Sequence, residues 1–202
     1  YTRLNIISGL EDTYHKNATK FLLTENTEFK IWLNLAVRFL EISSVDVTEE
    51  KNLITYHNKF DENNVIVSSV AFNLETDESA GTKKLIYLLG AIYDTLLNGK
   101  VLFIDELDAK LHPNLSKKLL EFFHKFNFNN AQFVFTAHDA LLLDKDIFRR
   151  DQIWFVNRNK FGISELYPMS EFDASVVRNT SDFKKKYLDQ VFGAAESIDI
   201  TK

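Results

Sequence analysis

Two acids side by side close a run of apolar residues in VLFIDELDAKLHP, Val101 to Pro113. Val101 to Ile104 read as a buried strand, and Asp105 and Glu106 stand where it would leave its sheet. Asp108 and His112 follow within a few residues. In an open parallel sheet, ligands collect at the carboxyl ends of the strands, because loops and helix N-termini meet there. A carboxylate at such an edge can hold a magnesium ion through water. Its neighbour, turned differently because strand side chains alternate, can orient an attacking water. A second apolar run, QFVFTAH, ends on His138, whose imidazole can hydrogen-bond a phosphate oxygen. Upstream, ESAGTKK supplies a further part: Ser79 as a helix N-cap, Gly81 as a point of close backbone approach, and the amides and positive dipole end of the helix that follows. These are the components of phosphate-binding chemistry.

The elements that must position these groups follow from periodicity. From Asn17 to about Glu41 apolar residues recur at three- and four-residue intervals (Phe21, Leu22, Phe29, Trp32, Leu33, Ala36, Phe39, Leu40), which predicts two helices. Between Ser43 and Leu74 the period falls toward two, in SSVDVTEE, NLITYHNKF and VIVSSVAFNL, and predicts an antiparallel meander with a turn at DENN. The polar stretch ETDESA precedes a helix whose Leu85, Leu88, Leu89, Ile92 and Leu96 share one face and which Gly99 ends. A strand over 101–105, a helix opened by Pro113 and a strand in QFVFTAH form a strand–helix–strand unit with short connections, the mark of a buried parallel sheet. DALLLD predicts a short helix, DQIWFVNR and FGISELYPM a hairpin, and the remainder a polar, partly helical tail. The expected division is a helical and β-meander segment over 1–74, an α/β lobe over 75–168 and the tail over 169–202.

With 202 residues and 45% hydrophobic content the chain can bury a substantial core as one domain or two small ones. A net charge of -5 and a pI of about 5.6 supply no global basic field for nucleic acid, so binding to DNA would need a local site. The absence of cysteine removes disulfides and thiolate zinc sites and is compatible with a reducing, cytoplasmic setting. No apolar run approaches the roughly 20 residues that span a bilayer, so no membrane partner is expected. His15, His57 and His124 have no metal-ligand spacing. Asp144 and Asp146, in LLLDKDIF, could suggest a Toprim-type metal motif, but the stretch fits a helix end better and no glutamate-bearing strand precedes it.

Taken in order, ESAGT, VLFIDE, LDAKLHP and TAH resemble the signature loop, Walker B strand, D-loop and switch-histidine loop in the C-terminal lobe of an ABC-type AAA-family ATPase, of the OLD-like and abortive-infection kind. The likeness runs from about Ser79 to Tyr167. FRRDQIWFV, SELYPM and VFGA near Phe192 are similar to segments of the abortive-infection branch. The resemblance implies an α/β, parallel-sheet P-loop NTPase lobe with ATP and Mg2+ as cofactors. It implies that Asp105 binds magnesium, that Glu106 is the catalytic base or water-positioning group, and that His138 contacts the γ-phosphate. Ser79, Gly81 and Thr82 would grip the γ-phosphate of a nucleotide held by a second copy, with Asp108 at the dimer seam. An ATP-dependent homodimer or higher homo-oligomer, a separate effector protein and a role in anti-phage defence are implied as well. Ala80 stands where transporters commonly carry a second glycine, and Thr82 and Lys83 replace the polar residue that often follows, which argues against a transporter.

A P-loop needs G-x-x-x-x-G-K-[ST], and none of the six glycines satisfies it. Before Gly99 and Lys100, Asp94 occupies the place of the first glycine, and Val101 follows. The resemblance puts the P-loop N-terminal to everything quoted. With Met169 the sole methionine and Tyr1 at the start, the chain is expected to be a fragment, an ATPase only when an upstream P-loop completes it. Two other functions fit less well. A DNA-maintenance ATPase of the SMC or recombination-repair type would need coiled-coil arms, and no sustained heptads precede Ser79. In a non-catalytic interaction module derived from the lobe, Asp105 and Glu106 would have no chemical reason to persist together.

Overall fold

The first described element is a strand that periodicity does not predict, β1 (Leu4–Ile7). Four residues are too few to show a period, and their strand character comes from pairing in parallel with a partner almost a hundred residues away. Two helices follow, α1 (Thr13–Glu25) and α2 (Thr27–Phe39). Asn26 separates them: its side-chain oxygen accepts the Phe29 amide at 2.8 Å and caps α2. The expected meander is present as β2 (Ser44–Val47), β3 (Leu53–Phe60) and β4 (Ile66–Asn73), antiparallel in the order β2-β3-β4. Its β3–β4 turn is DENN, with Asn64 at φ 60.

Ser79 then caps α3 (Ala80–Asn98), and Gly99, at φ 59, ends it. A Cβ on Gly99 would lie 2.5 Å from the Asn129 carbonyl, so both the dihedral and the space require glycine. The strand–helix–strand unit is β5 (Val101–Ile104), α4 (Pro113–Phe126) and β6 (Gln132–Phe135). β5 stops just before Asp105 and β6 three residues before His138, so these residues leave the sheet in loops. Next come β7 (Trp154–Arg158), β8 (Ser164–Pro168) and a short α5 (Phe183–Leu188). The expected helix in DALLLD is a single 3₁₀ turn, Ala140–Leu142, capped by Asp139.

The computed structural model describes residues 4–7, 13–40, 44–48, 52–159, 161–173, 177 and 182–194. Parts of the expected tail (174–176, 178–181 and 195–202) lie outside the described residues, as do Glu41, Ser43, Glu49 and Glu50 at the margins of expected elements. Two compact units emerge, Tyr1–His138 and Asp139–Lys202. The second is built on the β7–β8 hairpin, with Ile153, Phe155, Met169, Val177, Phe183 and Phe192 as its buried cluster.

In the first unit the parallel sheet has the order β1-β5-β6. Asn5 reaches from β1 to α3, donating to Asp94 and to Thr95 at 3.0 Å each. Phe123 of α4 packs on Phe133 of β6 with ring centroids 5.0 Å apart. Asn5, Leu102 and Phe133 are in register across the sheet, so α3 and α4 cover the same face. Leu85, Leu89, Ile92, Leu102, Ile104, Leu119 and Phe123 form the core beneath it. Trp32 of α2 bridges Tyr93 of α3, at 5.1 Å, and Phe122 of α4, at 5.5 Å, closing the helical layer.

Two contacts lock α1 onto α3. Gly90 lies against Thr19 so closely that a Cβ would sit 2.0 Å from its hydroxyl and 3.2 Å from its Cα. Glu75 accepts from Lys16 at 2.9 Å, Lys20 at 2.8 Å and the Tyr87 hydroxyl at 2.5 Å. Burial raises the Glu75 pKa, but the bonds from Lys20, Tyr87 and Lys16 outweigh it and hold the carboxyl down at about 2. Two outcomes follow in thermal and denaturant melts. Gly90→Ala should cost about 2 kcal/mol, because backbone as well as side chain blocks the methyl. Glu75→Gln should cost about 1 kcal/mol at neutral pH, the shift being screened at a partly exposed group. A depressed carboxyl stabilises above its unfolded pKa, near 4.5, and loses that contribution as pH falls through about 2. The two proteins should therefore converge in stability across that window.

Candidate functional site

The site begins where β5 and β6 run out together. Ile104 pairs with Phe135, so Asp105 and Thr136 are the first residues beyond the ladder on adjacent strands. The backbone continues the pairing for one step: Asp105 donates its amide to Ile7 and Thr136 donates to Ile104, each at 3.0 Å. The Thr136 hydroxyl then donates to Asp105 Oδ1 at 2.6 Å and accepts the Glu106 amide at 2.8 Å. One side chain thus fixes the carboxylate of the first acid and the backbone of the second. Leu107 donates its amide to the Thr136 carbonyl at 2.9 Å and buries its side chain, anchoring the loop behind the two acids.

Glu106 adopts φ 50, a left-handed conformation that carries a steric cost for a residue with a Cβ. Its conformation differs from that of a strand residue, so simple alternation of side chains does not describe how it separates from Asp105. Both carboxylates are exposed, and among the described residues no apolar packing plugs the edge. The loop closes through Asp108, whose Oδ2 accepts the His138 amide at 2.9 Å. That bond holds the turn after β6 against the turn after β5 and leaves the His138 side chain exposed. Asp105, Glu106, Asp108 and His138 therefore share one margin of the parallel sheet.

Ser79, Gly81 and Thr82 lie at the start of α3. The Ser79 hydroxyl accepts the Thr82 amide at 3.1 Å and is 2.9 Å from the Thr82 hydroxyl. A Cβ on Gly81 would stand 2.6 Å from the Lys110 carbonyl, so glycine lets the first turn of α3 press against the end of the 105–111 loop. Of the three, Gly81 touches the loop, at Lys110, while Ser79 and Thr82 bond to each other.

Glu78 ties the same turn to the meander. Its Oε1 accepts from the Thr55 hydroxyl and lies 2.5 Å from His57 Nε2. Burial opposes its charge, yet the bonds from Thr55 and His57 keep the carboxyl below the usual range. His112 is the N-cap of α4, its Nδ1 accepting the Asn114 amide at 3.3 Å. Sequence reasoning passed over Thr136, Glu78 and the hydrogen-bonded role of His57. Thr136 could have been found, since it opens the TAH segment that ends on His138.

Among the described residues no group of three or more His, Cys, Asp or Glu is arranged to hold a metal ion. A single exposed carboxylate still suits magnesium, which keeps most of its shell as water and substrate phosphate. Asp105 has Oδ1 engaged by Thr136, which fixes the direction of Oδ2. Nor, among the described residues, is any helix long and apolar enough to cross a membrane.

Residues 7–144 match the model of the family described as "AAA domain, putative AbiEii toxin, Type IV TA system". No curated protein matches the chain. Among solved structures, one from a study of "ATP-driven dimerization and DNA stimulated activation of SMC ATPases" superposes with a TM-score of 0.57 at 14% identity, covering 90% of this chain and 99% of that one. Another, the SMC head domain from Thermotoga maritima, has a TM-score of 0.49 at 11% identity and covers 83% of this chain and 54% of that one. The fold is thus of the ABC-ATPase head type, with a parallel sheet beside an antiparallel meander.

The role of Thr136 is open to direct measurement. Thr136→Val keeps the shape and removes both hydroxyl bonds, so amide hydrogen exchange at Glu106 should accelerate about tenfold. Thr136→Ser should retain wild-type protection. Equal exchange in all three proteins would mean that the hydroxyl does not hold the turn.

Proposed function

Because the chain belongs to this AAA-domain family of ATPases, we propose that it is the C-terminal lobe of an ABC-type enzyme that binds and hydrolyses ATP between two copies. In this reading Asp105 holds Mg2+ and Glu106 orients the attacking water. His138 hydrogen-bonds the γ-phosphate, and Asp108 lies at the dimer seam. Ser79, Gly81 and Thr82, with the α3 amides, present a positive helix end to the γ-phosphate bound by the other copy. The observation that carries the reading is the pair of exposed carboxylates held by Thr136 at the carboxyl edge of a parallel sheet, with His138 at the same margin. Magnesium would supply charge neutralisation at the phosphates. The chain's own contribution is positional: Glu106 holds a water in line with the γ-phosphorus and takes its proton as the bond to the β-phosphate breaks.

The parallel sheet offers independent support for a lobe that needs a complement. Ile6, Phe103 and Val134 are in register across β1, β5 and β6, and they are 58%, 41% and 45% exposed. Purely parallel sheets are covered on both faces, and a bare apolar row marks a surface that packs against something. A segment bearing the P-loop is the complement we assign to it. The family description names a toxin of a type IV toxin–antitoxin system, and we extend the reading to control of a separate effector in cytoplasmic anti-phage defence.

A second reading, a DNA-maintenance ATPase, is favoured by the likeness of fold to SMC ATPases. Tight duplex binding that weakens steeply with salt would promote it. For the leading reading, the decisive variant is Glu106→Gln in the protein completed by its P-loop. ATP turnover should fall about a hundredfold or more, and ATP-bound dimers should accumulate on gel filtration. Turnover equal to wild type would remove Glu106 from its role, and absence of hydrolysis in the wild type would leave a non-catalytic module.

A further inference from the structure

Lys84 lies in the second turn of α3, beyond the residues that face the proposed nucleotide. Its side chain reaches onto the 105–111 loop. Nζ is 2.7 Å from the Glu106 carbonyl oxygen, 3.0 Å from that of Leu107 and 2.9 Å from that of Ala109. An ammonium has three protons and no acceptor, so three carbonyls exhaust it. All three come from the turn that carries Glu106, and none of the three bonds is to a carboxylate. The arrangement resembles a cation held in a ring of backbone oxygens more than it resembles a salt bridge. Burial pushes the Lys84 pKa down, while the charges of Asp108 and Glu106 act in the opposite direction.

Those carbonyls do not converge by default. Glu106 at φ 50 and Lys110 at φ 62 both occupy left-handed conformations, which carry a steric cost for a residue with a Cβ. Peptide carbonyls aimed at one point also repel one another. A positive charge at their focus converts that repulsion into attraction, and charge-assisted hydrogen bonds are roughly twice as strong as neutral ones. The amides of the turn are held separately, by Thr136 at Glu106 and Leu107 and by the Glu106 carbonyl at Ala109. Lys84 therefore completes the carbonyl side of the same turn.

We propose that Lys84 is a positioning residue for hydrolysis: by gathering the carbonyls of Glu106, Leu107 and Ala109 it sets the conformation of Glu106, and it ties that conformation to the helix whose N-terminus carries Ser79 and Gly81. The proposal rests on the reading of Glu106 as the water-orienting group. It adds a mechanical link within one copy between the helix end that meets one nucleotide and the carboxylate that serves another. A displacement of α3 along its axis is transmitted to the Glu106 backbone through a half-buried ammonium and through the Gly81–Lys110 contact. The two sites of a dimer are then coupled through each copy's own α3.

The test separates this role from general stability and from the ATPase reading. Lys84→Met keeps the apolar stem and removes the charge, and Lys84→Gln is the milder second variant. Hydrogen exchange at the Leu107 and Ala109 amides should rise about tenfold or more in Lys84→Met, with exchange in the α3 core unchanged. In the protein completed by its P-loop, kcat should fall about a hundredfold while KM for ATP stays within about twofold, because misplacing a catalytic group costs chemistry more than binding. Lys84→Arg should recover part of kcat, and cooperativity in ATP should be lost in Lys84→Met. A merely stabilising lysine would lower the melting temperature and leave the kcat of the folded fraction unchanged, and that result would overturn the proposal. Unchanged exchange in both Lys84→Met and Lys84→Gln would overturn it equally. If the wild type hydrolyses no ATP, the role of Glu106 falls and the proposed role in hydrolysis falls with it, whereas the exchange measurement still decides whether Lys84 shapes the turn.

Discussion

Ile104 and Phe135 are partners in the β5–β6 ladder, and this register decides where two sets of side chains leave the sheet. Because the strands are parallel and stop at the same level, the residues that follow them emerge side by side. Thr136 can then bridge to Asp105 and to the Glu106 amide. A slip of one residue would turn Thr136 to the opposite face and break both bonds, since strand side chains alternate. The pairing is protected against such a slip by the core: Leu102, Ile104 and Phe133 point into the helical layer, where a shifted register would bury Gln132 or expose the leucine.

The loop beyond that edge is a place where polar satisfaction and backbone strain are balanced against each other. Left-handed residues at Glu106 and Lys110 turn the chain back within six residues. Glycine at position 106 would accept that dihedral more readily, so the presence of an acid there sacrifices local stability for a carboxylate. The neighbouring glycine is instead at position 81, on the other side of the contact, where a carbonyl comes too close for any side chain. The Thr136 hydroxyl and the Lys84 ammonium hold the turn from two sides, the first at the Glu106 amide and the second at three carbonyls.

The helical layer gives this edge its rigidity. Aromatic contacts link α2, α3 and α4 in one chain of rings, from Phe29 through Tyr93 and Trp32 to Phe122. Close packing at Gly90 and the Glu75 cluster join α1 to α3. Cover on one face and exposure on the other make the three-stranded sheet asymmetric in a way that a purely parallel sheet rarely is. The Glu78 carboxylate, two residues before α3, bonds Thr55 and His57 of β3 and so ties the meander to the start of that helix.

Sequence alone determined the kinds of element and their order from α1 to β6. Apolar period distinguished helix from strand, Ser79 and Gly99 bracketed α3, Pro113 opened α4, and the position of Asp105 and Glu106 just past an apolar run put them at a sheet margin. These signals are local, carried by spacing and by the dihedral preferences of single residues. Only the tertiary structure decided that β1 is a strand, that Glu106 is left-handed, that Thr136 holds both acids and that Lys84 turns toward three carbonyls. Each depends on partners about 20 to 100 positions away, and a lysine on a helix face or a threonine after a strand looks the same in sequence whether it meets solvent or a backbone oxygen. The reason is that hydrogen-bond partners are chosen by packing, after the apolar pattern has brought the elements together.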